Sequence, residues 1–211
     1  MANCYFKCVT SLVSGTFAGQ FSWGNTNNWW TQTNGGGVPS GIPGTGDNAI
    51  FDQNSATSSQ IVQLQSANRV CANLDMSAFN GVITAGNYSI QVYGSSIKLP
   101  AIGTSGVFDP SNNPGLAIYS GTTTYITTSG QTVGSISVNS GSTLNLVDDL
   151  VGFSNMTLTI DNGTFNANNK NVTIGGFTDT SSTSNKTLTM GSGKWTLGGE
   201  GPANNAFTIW N

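Results

Sequence analysis

The chain has 211 residues, of which only 7% are charged: 6 Lys and Arg stand against 9 Asp and Glu, a formal net charge of -3. Its basic side chains, Lys7, Arg69, Lys98, Lys170, Lys186 and Lys194, lie far apart, so no patch can follow a phosphate backbone, which argues against nucleic acid as a partner. No apolar run approaches the roughly 20 residues a bilayer requires, so no membrane insertion is expected.

Residues 1–47 differ in texture from the rest of the chain. Met1 to Gly15 carries Lys7 and is broken by Asn, Cys, Thr and Ser, without the continuous apolar stretch of a signal peptide, so the expectation is a chain made and folded in a cytoplasm. Three cysteines, an odd number, do not make a disulfide framework. Cys71, between Val70 and Leu74, reads as a small buried residue; Cys4 and Cys8 could pair with each other or with another chain, but free thiols suit a reducing compartment better. Three of the five tryptophans, Trp23, Trp29 and Trp30, fall here, followed by a Gly/Pro-rich stretch from Asn34 to Gly46 that excludes helix and central strand.

From residue 48 strand signals begin and continue to the C-terminus. Asn48 to Phe51, Gln60 to Leu64, Arg69 to Leu74, Gly81 to Thr84, Tyr88 to Tyr93 and Ser96 to Leu99 show the period-2 alternation of half-buried strands. Gly103 to Gly115, with Pro110 and Pro114, interrupts them as a loop or bulge. Strands resume at Leu116 to Tyr119, Tyr125 to Thr127, Gly134 to Val138 and Thr143 to Val147. Beyond them Leu158/Ile160, Phe165, Val172/Ile174, Leu188/Met190, Trp195/Leu197 and Phe207/Ile209 read as the inward residues of strands four or five residues long. No window holds a sustained helical apolar pattern, so helix content should be close to nil.

Strands this short cannot bury their apolar side chains alone and must stack in coils. The segment from Thr157 to Phe165 parallels that from Thr187 to Trp195 at an offset of 30 residues, and Val138 to Leu144 repeats the same logic of apolar residue, turn and apolar residue. Asn-Gly and Ser-Gly steps supply positive φ at the turns. The expected fold is therefore all-β: a right-handed parallel β-helix, or β-solenoid, over residues 48–211, with residues 1–47 as an N-terminal cap or anchoring segment. The alternative is a β-sandwich, because Asn162-Gly163 is also a strong hairpin signal.

Phe21-Ser22-Trp23-Gly24 to Trp29-Trp30, Val38-Pro39 and Gly46-Asp47-Asn48-Ala49-Ile50-Phe51-Asp52, together with Asn162 to Phe177 and Lys186 to Leu197, resemble β-helical structural proteins of bacteriophage particles, with an opening similar to that of autotransporter-like repeats. The resemblance implies a tail fibre, tailspike, baseplate or capsid-surface component of a virion, often trimeric, made in the host cytoplasm and working with other virion proteins.

Candidate chemistry is sparse. The absence of histidine removes the commonest proton shuttle and the Ser-His and Cys-His arrangements. Asp148 and Asp149 are the only adjacent acids, but neighbours in a strand point to opposite faces and cannot flank one glycosidic bond, so a solvated Asp-Asp turn is the simpler reading. Glu200 sits in a Gly/Pro turn, and Asp47, Asp52, Asp109, Asp161 and Asp179 stand isolated as turn formers, without a calcium-binding Gly-Gly-x-Gly-x-Asp run. No catalytic residue, metal or cofactor is expected. Trp23, Trp29 and Trp30 are the candidate binding residues, for a host surface glycan or a docking partner. Within that set, Trp23 and Trp29 suit the role of plugging the open end of the solenoid, which leaves Trp30 as the contact residue. The reading is a non-enzymatic virion rod, homotrimeric, that mediates assembly or host attachment. A carbohydrate- or receptor-binding module and a polysaccharide depolymerase are the alternatives.

Overall fold

The computed structural model describes residues 1–8, 21–57, 60–64, 67–84, 88–101, 107–108, 115–179, 185–198 and 207–208. No α-helix occurs among them, and Thr26–Asn28 and Thr33–Gly35 are single 3-10 turns. The rest of the regular structure is short strand. Pairing among these strands is parallel, except where Trp29–Trp30 runs antiparallel to Asn3–Phe6.

Successive strands visit three faces in a fixed rotation. The first face stacks Asn3–Phe6, Asn48–Ile50, Leu74–Asp75, Ser96–Lys98, Thr123–Thr127, Ser142–Leu146, Gly163–Asn166 and Lys186–Thr189 in sequence order. The third face stacks Arg69–Cys71, Ser89–Val92, Gly115–Ile118, Ile136–Val138, Thr157–Ile160, Gly176–Asp179 and Phe207–Thr208. Between them the second face consists of two four-stranded sheets, one from Phe21–Ser22 to Val107–Phe108 and one from Thr132–Val133 to Trp195–Leu197. This is a parallel β-helix, and the face-to-face antiparallel sheets of a sandwich are not formed.

Period-2 alternation explains the core. In Ser142–Leu146 residues Ser142, Leu144 and Leu146 are buried while Thr143 and Asn145 face outward. Parallel stacking aligns the inward residues into columns: Ala49, Leu74, Ile97, Ile126 and Leu146 on the first face, and Ile90, Leu116, Ile136, Leu158 and Phe177 on the third. All ten are essentially removed from solvent, and each large aliphatic contributes roughly 1.5–3 kcal/mol by its burial. At one corner Asn3, Asn48 and Asn73 form an amide ladder: Asn48 Nδ2 donates to Asn3 Oδ1 and Asn73 Nδ2 to Asn48 Oδ1, both at 2.7 Å. The Asn73 side-chain carbonyl then caps the next coil by accepting from the backbone N–H of Ser95 and Ser96.

The turn chemistry follows the residues. Ser129-Gly130 (φ 53 and 79), Ser140-Gly141 (56 and 72) and Asn168-Asn169 (49 and 61) supply consecutive left-handed positions at corners. Asn162-Gly163 likewise joins Thr157–Ile160 on the third face to Gly163–Asn166 on the first, as a corner between parallel coils and not as a hairpin.

Three expectations change. The 30-residue parallel is not the structural register: Phe165 aligns with Leu188, 23 positions later, because coil length varies, from Ile126–Leu146 at its shortest to Ile97–Ile126 at its longest among the first-face coils that follow Asn48–Ile50. Met190 is 42% exposed and so not an inward residue, because Lys186–Thr189 ends before it and the chain turns. Within Gly103 to Gly115, Val107–Phe108 pairs with Val82–Ile83 and Gly115 opens a strand of the third face, so the segment carries coil as well as loop. Ile209 lies outside the described residues.

Residues 1–47 both stack and cover. Asn3–Phe6 pairs in parallel with Asn48–Ile50, and Phe21–Ser22 with Ile61–Gln63, so these strands are rungs of the same helix. The chain from Trp23 to Gly46 then crosses the N-terminal end, where Trp29–Trp30 pairs along Tyr5–Phe6 and Trp30 bridges to Pro39.

Candidate functional site

The tryptophans divide by burial. Trp23 and Trp29 are fully buried and form one aromatic plug with Phe6, Phe51 and Phe79; the Phe51 ring lies 5.0 Å from Trp23, 5.4 Å from Trp29, 4.9 Å from Phe6 and 5.3 Å from Phe79. Trp29 Nε1 donates to the Trp23 carbonyl at 2.7 Å. Neither ring offers a face to a ligand. Trp30 alternates with Trp29 along the strand and is half-buried under Gly35. Its indole N–H, like that of Trp23, has no hydrogen-bond partner. Arg69 closes the same end: its guanidinium lies where a Cβ on Gly24 would approach within 2.5 Å, its Nε donates to the Leu64 carbonyl at 2.7 Å, and burial lowers its pKa.

Asp148 and Asp149 follow the Ser142–Leu146 strand at a corner and turn away from each other. Asp148 accepts the backbone N–H groups of Thr128 (2.7 Å) and Ser129 (2.6 Å) from the coil before it. Asp149 accepts from the coil after it, through the backbone N–H (2.8 Å) and side-chain Nδ2 (2.9 Å) of Asn171. Asn171 Oδ1 in turn caps Lys194 N at 2.9 Å. The two carboxylates are therefore clips between coils. Hydrogen bonds from the Asn171 side chain, and then from its backbone, hold the Asp149 carboxyl below its usual range. Because the folded-state value lies below the unfolded value of about 3.9, Asp149 stabilises the native state above that pH and loses this contribution as pH falls through the lower folded-state value. In urea unfolding, the stability gap between wild type and Asp149→Ala should be constant above about pH 4 and close on further acidification. A gap that persists at the acid end would contradict the assignment.

Three further acids accept hydrogen bonds as well. Asp47 accepts from Gly44 N, Asp52 from Asn54 N and from the Thr33 hydroxyl, and Asp75 from Ser77 N. Among the described residues no three His, Cys, Asp or Glu side chains gather as a metal site. Glu200 and Asp109 lie outside the described residues.

A cleft of about 300 Å³ beside Lys7 and Cys8 is lined by residues between Gln53 and Gln60. Lys7 Nζ already donates to the Asn54 carbonyl at 2.8 Å. All three cysteines are free thiols, and burial pushes Cys8 and Cys71 up to about 12, so neither is a nucleophile at neutral pH.

The outward surface of the first face carries a feature that sequence spacing concealed. Thr123, Thr143, Thr164 and Thr187 align in one column, and Tyr125, Asn145, Asn166 and Thr189 in the next. Tyr125 is 51% exposed and Val147, diagonal to it, 44%. Asn145 Oδ1, between Tyr125 and Asn166, is shielded and has no hydrogen-bond partner. Unequal coil lengths hid these columns from any fixed-period reading.

Comparison of the chain with protein-family models, curated proteins and solved structures found no match.

Proposed function

We propose that the protein is a non-enzymatic structural rod of a phage-like virion, homotrimeric, serving assembly or attachment together with other virion proteins. One observation supports this reading above the others: the paired acids that a depolymerase would need are spent as clips between coils, pointing to opposite neighbours. The stack has a largely apolar interior and sparsely charged walls, and its chemistry is mechanical. Parallel backbone pairing and apolar columns give stiffness, and the low charge lets identical chains lie side by side. Antibody raised against the chain should decorate the surface of particles in a virus-enriched preparation. Label confined to the soluble fraction, or release of reducing sugar from capsular polysaccharide by the pure protein, would overturn the reading.

A glycan- or receptor-binding module is the second reading, and Tyr125 supports it, exposed on a wall of Thr and Asn side chains. Binding on a glycan array that is lost in Tyr125→Ala or Trp30→Ala but kept in Asp149→Asn would favour it.

A further inference from the structure

Lys186 and Asp179 form an ion pair between the last residue of Gly176–Asp179 on the third face and the first residue of Lys186–Thr189, the last described strand of the first face. Both occupy inward positions. Asp179 continues the column Val92, Ile118, Val138 and Ile160, whose other members are apolar and buried. Lys186 continues the column of Ser142 and Gly163, also buried. Their side chains are 12% and 10% exposed, whereas the Lys98–Asp75 pair on the outer wall is 54% and 40% exposed. In a chain with 7% charged residues, two opposite charges have been placed inside the solenoid.

A buried ion pair repays its desolvation only when the remaining protons and lone pairs are also satisfied. An ammonium has three donors. Among the described residues Lys186 Nζ has a single acceptor, Asp179 Oδ1. Condensation would remove both charges and the surplus donors, leaving an amide with one N–H and one carbonyl.

The geometry points to a covalent isopeptide bond between Lys186 Nζ and Asp179 Cγ. The ammonium passes one proton to the carboxylate along their hydrogen bond, giving a neutral amine and a carboxylic acid. The amine lone pair attacks Cγ, and the adduct expels a hydroxyl oxygen, which leaves with two hydrogens as one water. A C–N bond forms and a C–O bond breaks, with no change in oxidation state and no further reactant. Burial of the two groups against each other supplies the proximity that makes such a step effectively unimolecular. The bond would pin the coil that begins at Lys186, whose strand has no partner beyond it among the described residues on this face. The inference stands apart from the virion assignment.

Intact mass spectrometry of the purified full-length chain, denatured before weighing, tests it. The expected mass is lower than the sequence specifies by one water, and proteolysis should yield a branched peptide whose fragments join Asp179 to Lys186. Lys186→Arg preserves the ion pair but lacks the amine, and it should show the full sequence mass, as should Asp179→Ala. A wild-type mass equal to the sequence mass overturns the proposal. So does a water loss that persists in Lys186→Arg, or one that maps to a cyclised aspartate without the branched peptide.

Discussion

Phe51→Ala should destabilise the N-terminal end by about 3–5 kcal/mol, the usual cost of removing a buried phenylalanine ring. Phe51 is 1% exposed and packs against the rings of Phe6, Trp23, Trp29 and Phe79, so its loss leaves a cavity that stiff neighbours cannot close. Small domains are stable by only about 5–15 kcal/mol in total, so the fraction lost is large. Because a solenoid is held by nearest-neighbour contacts, the damage should be local. Trp23 and Trp29 fluorescence should shift to the red at lower denaturant than the far-UV circular dichroism signal of the remaining coils. A single transition, coincident by both probes and unmoved from wild type, would refute the plug.

Gly163→Ala is the second large effect. Gly163 has φ +142, and a Cβ there would lie 2.2 Å from the Ser142 carbonyl oxygen and 3.1 Å from Val138 Cγ1. Backbone strain of about 1–3 kcal/mol and overpacking of a similar size together suggest a loss of roughly 2–5 kcal/mol. Gly141→Ala is the matched control, with φ +72 but nothing within 4 Å of its Cβ. It should cost only the backbone term, about 1 kcal/mol. Equal losses in the two variants, measured by urea unfolding, would show that close approach of the coils at Gly163 is not what demands glycine.

Much of the architecture can be read from residue order because the forces involved are local. Alternation within Ser142–Leu146 or Thr157–Ile160 sets which side chains face inward, and Ser140-Gly141 marks a turn wherever it stands. The corner at Asn162-Gly163 is less transparent, since positive φ suits a hairpin and a solenoid corner alike, and only the partner strands distinguish them. Register is harder still. Phe165 meets Leu188 and not a residue 30 positions away because each coil takes the length its loops require, and backbone pairing tolerates that variation.

The candidate sites show the same division. Residue order already separates Trp30 from the plugging pair Trp23 and Trp29, and strand alternation with the antiparallel crossing at Asn3–Phe6 buries Trp29 and leaves Trp30 half out. Asp148 and Asp149 are adjacent in the chain, but one clips backward and the other forward. Tyr125 and Asn145 become neighbours only when coils of unequal length are laid side by side.

By itself the sequence determined the secondary structure, the stacking of coils and the scarcity of catalytic groups, because pleat, turn conformation and composition act over a few residues. Tertiary structure alone decided which apolar residues share a column, how the aromatic rings of the N-terminal end interlock and that Lys186 and Asp179 meet inside the wall. Those outcomes depend on register between distant segments, and register is chosen by the summed packing of the whole stack.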